Sequence, residues 1–113
     1  MKTITSGINI DELRQMASKM FGNLVKAVVD IEKEIMAVDA DLHADEEQLL
    51  LENGSEQKNL WGINIYPEIK DENWIEFDSM INLRPSQNNR SRGVEDKNIR
   101  QKIIAIVNKL VIK

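Results

Sequence analysis

The chain has 113 residues, 42% of them apolar and 30% charged, which suits one folded domain and excludes a disordered or low-complexity chain. Its net charge of −4 excludes the global basic field of duplex-binding domains, and the lack of cysteine excludes disulfides and thiolate metal centres. The N-terminal stretch has no apolar run of signal-peptide length and no segment approaches a membrane span, so the cytoplasm is the expected setting and no membrane partner is expected.

The first periodic segment follows Asp11. Leu13, Met16, Ala17, Met20 and Phe21 recur at helical spacing, with Asp11 as the expected cap and Gly22 as the expected left-handed stop. From Leu24 the pattern becomes β-branched: Val25, Ala27, Val29 and Ile31 alternate, and Ile35 to Val38 form a second short apolar run. The charged residues 32–34 between them predict a hairpin, with the turn type left open because Glu34 stands where glycine is usual. A second helix is expected over "HADEEQLLLENG". Its first-turn carboxylates Asp45, Glu46 and Glu47 favour the helix dipole, its buried side is Leu49 to Leu51, and Gly54 is its stop.

Trp61, Ile63 and Ile65 then alternate with Gly62, Asn64 and Tyr66 on a strand. A further strand is expected over 74–84, with Ile75, Phe77, Ile81 and Leu83 on one face and Glu76, Asp78, Asn82 and Arg84 on the other, ended by Pro85. The last helix starts at Asp96 and carries Ile99, Ile103, Ile106, Val107 and Leu110 on one stripe. The order is α-ββ-α-ββ-α over residues 1–113, a single α+β domain. The expected architecture has two layers, a four-stranded, mostly antiparallel sheet with the three helices on one face.

If the helices cover one face, the other is free, and it carries Asn64, Tyr66, Glu76, Asp78, Asn82 and Arg84. This is either a solvated antiparallel face or a binding face. Leu24 and Val28 on the same side of the first strand suggest partial cover by a second copy of the chain. His43 is the only histidine and the best titratable candidate for catalysis. Its surroundings are equally explained by helix capping, and with no second histidine it matches no zinc motif. No metal site and no cofactor is assigned, and neither a phosphate-binding glycine loop nor a GxSxG nucleophile occurs.

The charge is unevenly spread. From Arg84 to Lys102 six basic residues face two acidic ones, a local +4 that leaves −8 on the rest of the chain. Within it, "RPSQNNRSRG" brings Arg84, Arg90 and Arg92 between a strand end and a helix start. Arginine forks suit phosphate or carboxylate, so an anion or RNA is the expected occupant, unless the arginines pair with acidic surface groups.

"VKAVVDIEKEIMAVDADLHADEEQLLLENGS", "NLWGINIYPE" and "WIEFDSMINLRPSQNNRSRGVED" together resemble a family of small prokaryotic proteins known only as a domain of unknown function. The resemblance runs from about Asp11 to Leu110 and implies no activity, cofactor or partner. Its blocks contain His43, Asp45, Asn64, Tyr66, Asn82, Arg84, Pro85 and Asn88. Two functions follow. One is a binding or interaction domain that pairs with itself through the free face. The other is a protein that binds RNA or a phosphate compound, or cleaves a phosphodiester without metal, through Arg84, Arg90, Arg92 and His43. Enzymatic activity is left open.

Overall fold

The computed structural model describes all 113 residues. Two short strands not expected from the sequence, β1 (Lys2–Ile4) and β2 (Ile8–Asn9), precede the first helix, α1 (Ile10–Lys19). Asn9 caps that helix: its Oδ1 accepts the Asp11 N–H at 2.8 Å. Asp11, the expected cap, lies inside the first turn and pairs with Arg14 at 2.6 Å. Gly22 is the stop, with a φ of 93° and its N–H donating to the Ala17 carbonyl at 2.6 Å.

The first hairpin forms as expected, from β3 (Val25–Asp30) and β4 (Ile35–Val38), with Ala27 opposite Val38. Its turn is tied by an aspartate side chain. Buried Asp30 accepts the N–H groups of Glu32 and Lys33, both at 2.9 Å, through one oxygen and the Ser55 hydroxyl at 2.6 Å through the other. Glu34 takes the left-handed conformation, φ 57°.

Next come α2 (His43–Glu52) and β5 (Leu60–Ile65), whose six residues all pair with β3. The expected fourth strand stops almost at once: β6 is only Ile75–Glu76, and single 3-10 turns follow at Met80–Asn82 and Pro85–Gln87. The last helix, α3 (Lys97–Leu110), is capped as expected, with Asp96 accepting the Asn98 N–H at 2.8 Å. It leads into β7 (Val111–Ile112), which pairs in parallel with β2.

The protein is thus an α+β domain with three helices and a mostly antiparallel sheet. That sheet has five strands, not four, in the order β1-β4-β3-β5-β6, and β2 with β7 forms a second, two-stranded sheet. The layering also departs from expectation. Helices α1 and α3 pack on one face, where Leu13, Ile103 and Val107 meet Ala27, Val29, Met36, Trp61 and Ile63. Helix α2 packs on the opposite face, where Leu50 meets Val28, Ala37 and Leu60. The central strands are apolar on both sides, and burying both sides takes helices on both faces. The face expected to lie open for a second copy is therefore covered by α2 along Val28, Ala37 and Leu60. Its Lys26–Asn64 end lies beyond Val28 and lines a cleft.

Candidate functional site

The segment 78–95 completes the edge of β5 with side chains rather than with a strand. Asn82 is fully buried; its Oδ1 accepts the Gly62 N–H at 2.8 Å and its Nδ2 donates to the Gly62 carbonyl at 2.9 Å. One amide thereby makes both bonds of a strand neighbour. The same Nδ2 reaches the Arg92 carbonyl at 2.9 Å. Asn89 ties the loop to itself: its Nδ2 donates to the carbonyls of Asn82 (2.7 Å) and Gly93 (2.8 Å), and its Oδ1 accepts the Glu95 N–H at 2.9 Å.

These ties decide the fate of the three arginines. Arg84 is buried, caps the carbonyls of Gln57 and Leu60, and stacks over Trp61 with Cζ 4.1 Å from the ring centroid. Burial pushes its guanidinium below the usual arginine range. Arg90 is exposed, and its backbone N–H donates to Glu95 at 2.6 Å. Arg92 pairs with Asp78 at 2.7 Å. The expected anion site at the last helix is not assembled, because Arg84 serves as internal structure and Asp96 occupies the start of α3.

A different gathering forms at the Lys26–Asn64 end of the sheet face. His43 and Ala44 at the start of α2, Lys26 of β3, Asn64 of β5, and Asp78 and Arg92 of the loop line a cleft of about 210 Å³. Leu42, Met80 and Ile81 add apolar surface to its walls, and Leu42 and Met80 are exposed. Asn64 pairs across the sheet with Lys26 on one side and Glu76 on the other. Its Nδ2 donates to Glu76 at 2.8 Å, and the Tyr66 hydroxyl donates to the same Glu76 oxygen at 2.9 Å. Burial, then the Glu76 bond, raises the Tyr66 hydroxyl. The Asn64 Oδ1, buried with its residue only 7% exposed, has no partner.

His43 is buried, and its Nε2 lies 2.7 Å from the Ile63 carbonyl. A carbonyl only accepts, so the proton is on Nε2 and the neutral ring keeps its lone pair on Nδ1. Burial holds the imidazole below its ordinary value, and nearby Lys26 acts in the same direction. The His43 lone pair is therefore available at neutral pH. Helix α2 follows Leu42, which offers no side-chain cap; the Asp45 N–H donates to the Leu42 carbonyl at 3.2 Å, and the amides of His43 and Ala44 ahead of it have no side-chain acceptor.

Of the residues singled out from sequence, the cleft brings together His43, Asn64 and Arg92, with Tyr66 and Glu76 bonded beside Asn64. Arg84 and Asn82 are structural, and Arg90 lies outside. Asp78, named from sequence only as part of the polar face, joins them, and Lys26 was the missed member; it shows itself as the one cation interrupting an apolar strand, but only pairing with Asn64 brings it into the cleft. No group of three histidine, aspartate or glutamate side chains is placed to hold a metal. The largest cavity, about 480 Å³ between Ile10, Arg14, Pro67 and Lys113, holds an arginine already committed to Asp11 and Glu68. The smaller cleft, with an unpaired acceptor and an available histidine, is the stronger candidate.

Fold and cleft together define a small α+β protein with one polar, partly apolar-walled pocket under a helix start. The chain belongs to the family DUF5674, a protein of unknown function, whose model matches residues 2–110. No curated protein and no solved structure matches it. No helix is long and apolar enough to cross a membrane.

Proposed function

We propose that the protein is a binding domain whose cleft beneath the start of α2 holds the anionic group of a small ligand. The observation that carries this reading is the start of α2 without a side-chain cap, with Lys26 and Arg92 lining the same cleft. Free helix amides attract anions, and two cations beside them add charge-assisted donors. Arg92 shares its charge with Asp78, which leaves Lys26 as the principal cation. His43 joins as a neutral acceptor beside Asp78, which is already paired with Arg92, and the reading is one of binding. RNA, the other occupant considered, is disfavoured by the small volume and by the internal use of Arg84.

Calorimetric titration with acetate and with inorganic phosphate, at low and moderate salt, tests this. The expected result is saturable binding by one or both that weakens with salt and is lost in Lys26→Gln. Binding that survives Lys26→Gln unchanged would contradict the assignment.

A further inference from the structure

Resting on the same cleft, we infer that its ligand is a small zwitterion of the α-amino-acid type, with an apolar side chain, rather than a simple anion. The cleft holds acceptors as well as donors. Asn64 Oδ1 is a buried acceptor with no partner, an arrangement whose cost is removed by a ligand N–H. Asp78 uses one oxygen on Arg92 and keeps the other, and His43 holds its lone pair on Nδ1. Three acceptors match the three N–H bonds of a primary ammonium. The donors are Lys26, the unused guanidinium nitrogens of Arg92 and the first amides of α2, which match a carboxylate.

Donors and acceptors alternate at close range. Lys26 and Asn64 are direct cross-strand partners, so their Cβ atoms stand about 5 Å apart. Asp78 and Arg92 touch at 2.7 Å. A ligand meeting such a surface carries its positive and negative groups side by side, as an α-amino acid does across one carbon. A dianionic phosphate would leave Asn64 Oδ1 unpaired and stand against Asp78. The volume of about 210 Å³ lies below the roughly 300–1,000 Å³ of sites for drug-sized ligands, and Leu42, Met80 and Ile81 offer an apolar wall to a side chain.

The test compares three probes by calorimetry on the full chain: leucine, 4-methylpentanoate, which lacks the ammonium, and 3-methylbutylamine, which lacks the carboxylate. Leucine is expected to bind at least about tenfold more tightly than either analogue, because each analogue leaves polar groups of the site unpaired. Asp78→Asn is expected to bring leucine down toward 4-methylpentanoate, and the half-exposed position keeps that variant folded. Asn64→Leu, of similar size, is the second variant and is expected to act the same way. Equal binding of leucine and 4-methylpentanoate, or tighter binding of phosphate, would overturn the zwitterion while leaving the anion site standing. No binding by any probe, phosphate and acetate included, would overturn both.

Discussion

Gly62 sits in mid-strand, where glycine is unfavourable, because a β-carbon there would lie 2.5 Å from the Ser79 Cβ. Gly62→Ala is expected to destabilise the protein by about 1–3 kcal/mol, the usual cost of overpacking. Adding Ser79→Gly is expected to recover part of that loss, and urea unfolding of both variants reads it; a Gly62→Ala protein as stable as the parent would contradict the close approach. Glu46 makes a second residue-scale case. It is fully buried on the inner side of α2, its Oε2 accepts the Ala40 N–H at 3.1 Å, and its Oε1 has no partner. Burial pushes its carboxyl up to about 9. Between the ordinary carboxylate range and that value, the unfolded chain has released this proton and the folded protein has kept it. Stability contributed by Glu46 is therefore greatest in acid and falls as pH rises through the window. Glu46→Gln keeps the Ala40 bond and removes the titration. The variant is expected to exceed the parent in stability at pH 8 by more than at pH 5, measured by urea unfolding at both. The same difference at the two pH values would contradict a neutral Glu46.

The elements that local chemistry alone specifies were legible in the sequence. Helix α3 follows from its apolar stripe and Asp96, and the β3–β4 hairpin from its alternation. What was not legible depends on groups distant in sequence. The run 74–84 alternates like a strand, yet after Glu76 its place beside β5 is taken by the Asn82 amide, an exchange that no periodicity encodes. Helix α2 buries His43, Glu46 and Leu50, so its inward stripe reads as polar, and its position on the second sheet face shows only in Val28, Ala37 and Leu60. Because Asn82 substitutes for a strand, Asn82→Leu is expected to cost about 3–5 kcal/mol by leaving the Gly62 N–H and carbonyl and the Arg92 carbonyl unpaired. Arg84→Lys is expected to cost about 2 kcal/mol, since an ammonium cannot reproduce the planar fork that caps two carbonyls and stacks on Trp61. Thermal denaturation reads both. A change below about 0.5 kcal/mol in either would contradict its structural role.

For the whole molecule, the conspicuous signal and the candidate site separate. The arginines stand out in the sequence, but the fold spends Arg84 on packing and leaves Arg90 in solvent. Three quieter residues, Lys26, His43 and Asn64, come from three elements and meet only when α2 crosses the second face of the sheet. Sequence reasoning named His43, Asn64 and Arg92 separately; placing them in one cleft required the strand register and the layering. The measurement that tests this most directly is an amide NMR titration of the full chain with leucine, acetate and phosphate. The account predicts that the amides of Leu42–Ala44, Lys26 and Asn64 shift and saturate, while those of Ser86–Arg90 stay still. Shifts confined to Ser86–Arg90 would return the function to the arginine loop and contradict the cleft.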